Sequence, residues 1–469
     1  MEIKDITNRD VDFAQWYTDV CKKADLIDYS STKGSMIIRP LGYAIWENMQ
    51  KILDEKFKET GHENVQMPMF IPESLLNVEK NHVEGFAPEV AWVTKGGNND
   101  LEERMCIRPT SEVLFCDHYK KIIQSYRDLP KLYNQWCTVV RWEKTTRPFF
   151  RSREILWQEG HTMHATAEEA KEETLRMFNI YKEFQEKYLA MPVITGRKTE
   201  TEKFAGAETT YTIEAMMYDG YALQNGTSHY FGQHFAKAFG IQYVDEENKL
   251  QTPYQTSWGV STRMIGGLIM THSDNNGLVL PPKIAPWKVI IIPIGNVDDK
   301  LAELENKLKE NKITYKKDCS KKTPGFKFAE AEVKGYPIRI ELGERDLKKD
   351  LVTLVRRHTL EKTTCHYNEV IEEIQKEMET MQQDMYNRAL KRRNSMIYEA
   401  NTYDELKEIA KTKPGFIKIN WCGSPECEAK IKNDTTFKSR CLIENEKPTG
   451  TCVVCGKPAT TRIYIGKQY

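Results

Sequence analysis

Arg141-Trp142-Glu143-Lys144-Thr145-Thr146-Arg147-Pro148-Phe149-Phe150-Arg151-Ser152-Arg153-Glu154-Ile155-Leu156-Trp157-Gln158-Glu159-Gly160-His161 is the stretch on which the fold turns. Residues 132–164 alternate apolar and polar side chains on both sides of Lys144-Thr145-Thr146-Arg147-Pro148. That pattern predicts two antiparallel strands joined by a long basic loop. Every second side chain of a strand shares a face, so Arg141 and Glu143 are expected to point together, as are Arg151 and Arg153, and Trp157, Glu159 and His161. A face bearing guanidiniums, carboxylates and an indole is not expected to pack on an apolar core, because unpaired buried charges are costly. Spacing alone leaves open a solvated sheet face with ordinary salt bridges.

Towards the N-terminus, Leu41, Ile45, Met49, Ile52, Leu53 and Phe57 recur at three and four and predict one helix over 40–60, with Pro40 in its first turn. Residues 65–72 read as a short apolar strand whose two prolines demote it to an edge or interface position. After a charged, glycine-containing span around 80–104, residues 105–110 read as a strand, with Thr110 and Glu112 close to its end. Towards the C-terminus, residues 167–188 carry Glu and Lys at i,i+4 spacing and read as a solvated surface helix without a function. Strands are expected at 211–215 and 221–223. A glycine-containing helix is expected to begin over 259–268 and to end before Asn275-Asn276-Gly277. Arg263 at its start is a candidate phosphate clamp, and Gly266 and Gly267 allow close approach of a backbone or ligand. An incidental arginine on a tightly packed helix is the alternative. The fold class expected up to Pro286 is a single α+β unit with an antiparallel sheet.

Pro281-Pro282-Lys283-Ile284-Ala285-Pro286 marks a boundary. Beyond it, strand runs at 289–294, 336–342 and 351–357 alternate with helical patterns, which argues for a small α/β domain. A long charged helix over 368–400 leads to a third, small α+β segment. The expected division is therefore 1–286, 287–370, a linker over 371–400, and 401–469. In the last segment Cys422 and Cys427, with four residues between them, and Cys452 and Cys455, with two, have the spacing of a closed structural Zn²⁺ site. Four unrelated thiols are the alternative, and two disulfides do not suit a reducing compartment.

Composition agrees with this division. At ~150 residues per domain, 469 residues make roughly three domains, which excludes a small disulfide scaffold. Apolar residues at 40% and charged residues at 29% exclude a disordered chain. No apolar run approaches the ~18 residues of a membrane span, and the opening residues lack a signal peptide's apolar segment; a cytoplasmic protein without membrane partners is expected. Lys plus Arg equals Asp plus Glu at 68 each, so any phosphate site must be local. The isolated Cys21, Cys106, Cys116, Cys137, Cys319 and Cys365 read as reduced core thiols.

The helix and proline-bearing strand up to Pro72, the Arg141-to-His161 hairpin and the Gly259-to-Gly267 segment resemble, in order, the three signature motifs of class II aminoacyl-tRNA synthetases. Within that class, Arg108-Pro109-Thr110-Ser111-Glu112, Trp157-Gln158-Glu159-Gly160-His161 and Gly226-Thr227-Ser228-His229 are similar to the prolyl-tRNA synthetase family, in its eukaryotic and archaeal-like form with a C-terminal extension. The resemblance implies ATP-dependent ligation of L-proline to tRNA(Pro), with Mg²⁺ required and a homodimer built through the first motif's helix and strand. It implies that Thr110 and Glu112 receive the imino group, and that Trp157, Glu159, His161 and His229 shape the ring pocket. Arg141 would bridge the proline carboxylate and the ATP α-phosphate. Arg151, Ser152, Gln224, Thr227, Ser261 and Arg263 would hold the nucleotide, with Glu143 helping to place adenine and Mg²⁺. Arg141, Arg263 and Glu143 are the implied catalytic set.

Relatives often carry phenylalanine where Ile155 stands, which puts adenine stacking in doubt. The span between the second and third motifs leaves no room for an editing insertion. In the α/β domain the resemblance implies anticodon reading, for which Glu341, Arg345 and Lys349 are the candidates; a surface salt-bridge network is the alternative. Arg388, Lys391, Arg392 and Arg393 form a basic stripe that suits tRNA phosphates or an ordinary solvated helix face equally well. Tyr469 resembles a family ending that reaches back to the catalytic domain. Two other readings stay open: a synthetase-like binding protein without catalysis, and another class II synthetase such as threonyl or histidyl.

Overall fold

The computed structural model describes residues 5–78 and 90–469. Its centre is a seven-stranded sheet. From one edge the order is Glu63–Asn64, Lys131–Val140, Glu154–His164, Tyr254–Ser261, Ala222–Gly232, Thr209–Met216 and Val193–Arg197. All neighbours are antiparallel except the first pair. Three helices, Pro40–Glu59, Ala167–Lys187 and Arg263–His272, share one apolar core with this sheet through residues such as Phe57, Tyr181, Trp258 and Leu268. The helix read as solvated is thus half covered: Met177, Phe178, Tyr181 and Phe184 are buried, and so is Glu173, 2.8 Å from His62 Nε2, while Glu168, Glu169, Lys171, Glu172, Glu183 and Lys187 occupy the outer face.

Several expectations need correction. The strand at 65–72 does not form as one piece. Glu63–Asn64 joins the main sheet, Phe70–Pro72 pairs with Met105–Ile107 in a separate three-stranded sheet, and Pro68 lies between them with no N–H to give to either ladder. Within the charged span at 80–104, to which sequence reading assigns no element, Ala91–Gly96 and Asn99–Ile107 form a hairpin; residues 80–89 of that span lie outside the described residues. The strand expected at 105–110 ends at Ile107. The long hairpin is present, but its strands stop at Val140 and resume at Glu154. Arg141, Glu143, Arg151 and Arg153 therefore belong to the connection, and strand alternation does not govern them. The segment from Tyr254 to Ser261 is a strand, so the third-motif helix starts at Arg263 and not at Gly259. Gly266 receives the ring of Phe150, which makes it a packing glycine.

The second unit is a five-stranded mixed sheet, Tyr315–Lys317, Val289–Ile294, Ile338–Gly343, Leu351–Arg356 and Lys362–His366, with the last two strands antiparallel. The helix Val370–Ser395 leads out of it. Ile397–Ala400 already pairs with the C-terminal four-stranded sheet. On that helix Arg392 donates to the Thr271 carbonyl at 2.8 Å and Arg393 to the Val193 carbonyl at 2.9 Å, so this part of the basic stripe faces the first unit. Cys319 is exposed and Cys137 and Cys365 are half-buried; only Cys21, Cys106 and Cys116 of the isolated thiols are core.

Candidate active site

Alternation along the central strands separates two chemistries. On Glu154–His164, Gln158 turns to the helices, where Tyr181 donates to it, and Gly160 accepts the Trp258 ring. Trp157, Glu159 and His161 point the other way, into a cleft of about 270 Å³. Ser257, Gly259 and Ser261 line it from the neighbouring strand, Thr227 and His229 from the next, and Thr210 from the one after. Contrary to the expectation of an exposed polar face, Glu159 and His161 are nearly inaccessible.

Their burial is tolerable because the carboxylate is saturated with donors. Ser111 N–H reaches Glu159 Oε2 at 3.2 Å, Ser111 Oγ and Gln135 Nε2 reach Oε1 at 2.5 and 2.7 Å, and His161 Nε2 lies 2.9 Å from Oε2. Burial pushes the Glu159 pKa up, but the bonds from His161, Ser111 and Gln135 outweigh it and hold the pKa at about 2. The anion is therefore fixed. The His161 ring stacks on Phe115 at 4.2 Å, and its Nδ1 has no hydrogen-bond partner among the described residues. Thr110 Oγ1 donates to Glu112 Oε2 at 2.5 Å, and both residues are buried at the cleft. His229 sits 2.9 Å from Thr210 Oγ1; burial, with His161 nearby, pushes its pKa down to about 3, so it is neutral at physiological pH.

The other end of the cleft is cationic. Arg263, at the start of its helix, donates from Nη1 to the Gln224 carbonyl at 3.3 Å. Arg141 donates from Nε to the Pro109 carbonyl at 3.2 Å and lies 5.0 Å above the Trp157 ring. Burial, then repulsion from Arg141 and Arg151, pushes the Arg263 pKa down to about 10, which still leaves it charged at neutral pH. Two arginines converging on one cleft form a ready place for an anion. Gln224, Thr227 and Ser261 line the same cleft, as do Phe150 and Ile155.

Glu143, Arg151 and Ser152 are not among the lining residues. Arg151 donates to Glu143 at 3.4 Å, and Ser152 Oγ donates to the Gly34 carbonyl at 3.3 Å. Glu202 and Phe204 do line the cleft, yet sequence reading passed over them. They lie in an irregular segment with no period to read; the only signal was an aromatic residue beside a carboxylate in a short polar run.

In the second unit Glu341 is nearly buried and held by Arg339 Nη2 and Lys362 Nζ, each at 2.9 Å, whereas Arg345 and Lys349 are exposed. The sulfurs of Cys422, Cys427, Cys452 and Cys455 all lie within 4.8 Å of one another, with Cys422 to Cys427 at 3.7 Å and Cys422 to Cys455 at 3.6 Å. Tetrahedral zinc with Zn–S of ~2.3 Å places its sulfurs about 3.8 Å apart, so the four thiols fit zinc. The Tyr469 ring reaches the first unit: it packs on Phe150 and Tyr221, and its hydroxyl donates to Asp219.

Three family models match in succession: the tRNA synthetase class II core domain (G, H, P, S and T) over residues 92–272, an anticodon binding domain over 288–377, and the prolyl-tRNA synthetase C-terminal domain over 403–469. A proline–tRNA ligase of Lachnospira eligens is 60% identical over 472 residues, covering 100% of this chain and 98% of that protein. The chain belongs to the prolyl-tRNA synthetase family. A proline–tRNA ligase 2 of Bacillus cereus is 58% identical over 473 residues, covering 100% and 99% of the two chains. Among solved structures, the prolyl-tRNA synthetase of Cryptosporidium parvum, complexed with halofuginone and AMPPNP, superposes with a TM-score of 0.94 at 40% identity, covering 99% of each chain. Membership in the prolyl-tRNA synthetase family accounts for the order of the three units. No described helix is long and apolar enough to cross a membrane.

Proposed function

We propose that this chain ligates L-proline to tRNA(Pro) in two steps through a prolyl-adenylate. The observation that carries the reading is the meeting of Arg141 and Arg263 with the buried Thr110–Glu112 pair in one cleft. Proline's secondary ammonium has two N–H donors, which suit the Thr110 hydroxyl and the Glu112 carboxylate. Trp157, Glu159, His161 and His229 frame the ring. Arg141 holds the proline carboxylate against the α-phosphate, while Gln224, Thr227, Ser261 and Arg263 grip the nucleotide in the cleft, and Arg151 and Ser152, outside its lining, are assigned to the nucleotide from the motif's connection. A proline carboxylate oxygen attacks the α-phosphorus in line, and the bond to pyrophosphate breaks. Charge grows on the phosphoryl oxygens, so fixed guanidiniums supply most of the stabilisation by position and electrostatics. Glu143 is the carboxylate that would hold Mg²⁺, which would supply part of the charge neutralisation. The 3′-hydroxyl of the tRNA terminal adenosine then attacks the carbonyl of the mixed anhydride, and AMP leaves.

The exposed side chains of Ile37, Tyr43, Met69 and Phe70 around the first motif support a homodimer, which sedimentation velocity would report as twice the chain mass. Arg345 and Lys349, with Glu341 tied between cations, are assigned to anticodon reading, and the four cysteines to structural zinc. Catalysis is assigned to residues 1–286, anticodon reading to 287–370, and the zinc unit to 401–469, joined by 371–400. The compartment is the cytoplasm. Between the second and third motifs the chain is consumed by the helix Ala167–Lys187 and by sheet strands, so the pure protein does not hydrolyse added alanyl-tRNA.

Amino-acid-dependent exchange of pyrophosphate into ATP tests the reading. Exchange with proline, well above that with alanine or threonine, is expected; absence of exchange with proline sinks it.

A further inference from the structure

The C-terminal sheet meets the catalytic sheet through a buried cluster of three charges. Glu214 accepts from Lys198 Nζ at 2.9 Å and from Thr212 Oγ1 at 2.7 Å on Oε1, and from Arg440 Nε and Nη2 at 3.0 and 2.8 Å on Oε2. All three charged side chains are buried. Arg440 lies on Lys438–Leu442 of the C-terminal sheet, and its Nη1 also donates to Gln468. Both carboxylate oxygens are thus committed, one to each domain. Apolar side chains of equal volume usually stabilise such an interior as well as an ion cluster does. Docking alone does not call for these charges; what they add is fixed geometry.

That geometry extends to the nucleotide end of the cleft. Thr210, Thr212 and Glu214 alternate onto the cleft face of their strand. Across the ladder Thr210 pairs with His229 and Thr212 with Thr227, but Glu214 pairs with Gln224, because the register skips Asn225. This bulge turns Gln224 onto the cleft face, directly opposite Glu214. Gln185 fastens the bulged residue from behind: it donates to the Asn225 carbonyl at 3.2 Å and accepts from its side chain at 2.9 Å. The Gln224 carbonyl in turn receives Arg263.

We infer that Arg440, acting through Glu214, is a positioning residue for Gln224 and Arg263, so that the C-terminal domain sets how tightly ATP is held. The inference rests on reading the cleft as an ATP site.

Proline-dependent pyrophosphate exchange by the full chain, with ATP and proline varied separately, tests it in the wild type, Arg440→Lys, Glu214→Gln and Glu444→Gln. Glu444 pairs with Arg197 at 2.6 Å across the same seam but on the exposed surface. Arg440→Lys and Glu214→Gln are expected to raise the ATP KM roughly tenfold, within the span seen for coupling through packed networks, and to leave the proline KM within about twofold. Glu444→Gln is expected to change neither. An unchanged ATP KM in the first two variants, a proline KM rising in step, or an equal shift in Glu444→Gln overturns the inference. Should a single variant fail to fold, the triple Lys198→Gln/Glu214→Gln/Arg440→Gln, which removes all three charges together and leaves none buried alone, carries the same expectation. A wild type without proline-dependent exchange overturns the reading of the site and this inference with it, and is recognised before any variant is compared.

Discussion

Glu159 stays ionised in the interior because four donors converge on its two oxygens. Alternation shows which side chains share a face; it does not show that Ser111 and Gln135, distant in sequence, arrive to saturate the carboxylate. A pH dependence follows from the buried groups. Burial lowers the pKa of His229 to about 3 and that of His164 to about 4. In the unfolded chain both titrate near ~6.5, so between these values the unfolded state binds more protons and stability rises with pH. Each neutral histidine therefore contributes stability that is present above about 6.5 and is lost as pH falls, by up to roughly 1.4 kcal/mol per pH unit. Glu159, with a folded pKa of about 2 against ~4.3 unfolded, adds stability above that unfolded value that is lost only below it. Calorimetric Tm should fall from pH 7 to pH 5; a Tm that holds or rises over that interval contradicts the burial of neutral imidazoles.

Among the elements, the long helix Pro40–Glu59 and both hairpin strands were legible because their periods are uninterrupted over ten or more residues. The strand at 65–72 failed where Pro68 removes a donor, and the third-motif helix was started too early because Gly259 sits in a strand that periodicity cannot distinguish from a helix start over so few residues. Gly160 illustrates what a sequence string conceals. It reads as one letter between Glu159 and His161, yet a Cβ there would fall inside the buried Trp258 ring, which is itself packed by Phe57 at 5.0 Å and edge-on by His62 at 5.1 Å. Gly160→Ala is expected to destabilise by about 1–3 kcal/mol through overpacking. Chemical denaturation measures this, and an unchanged midpoint would mean that the indole has room to move.

Across the whole molecule, the proline cluster at 281–286 and the cysteine spacings made the order of the units legible, since both are local signals. The seam between the catalytic and C-terminal units was not, because Glu214 and Arg440 are 226 positions apart and neither stands in a pattern. Zinc held by Cys422, Cys427, Cys452 and Cys455 would brace the same C-terminal unit. Chelation is expected to release about one zinc per chain and to lower the Tm, and Cys427→Ser to do likewise, as for structural sites whose metal contributes folding energy; a chain that releases no zinc and keeps its Tm contradicts the assignment. The account as a whole depends on Arg141 and Arg263 acting on one nucleotide, and the exchange rate of Arg141→Ala beside the wild type tests that most directly. Loss of proline-dependent exchange by a factor on the order of 10²–10³, as when one transition-state donor is removed, is the predicted result; exchange at the wild-type rate would contradict it.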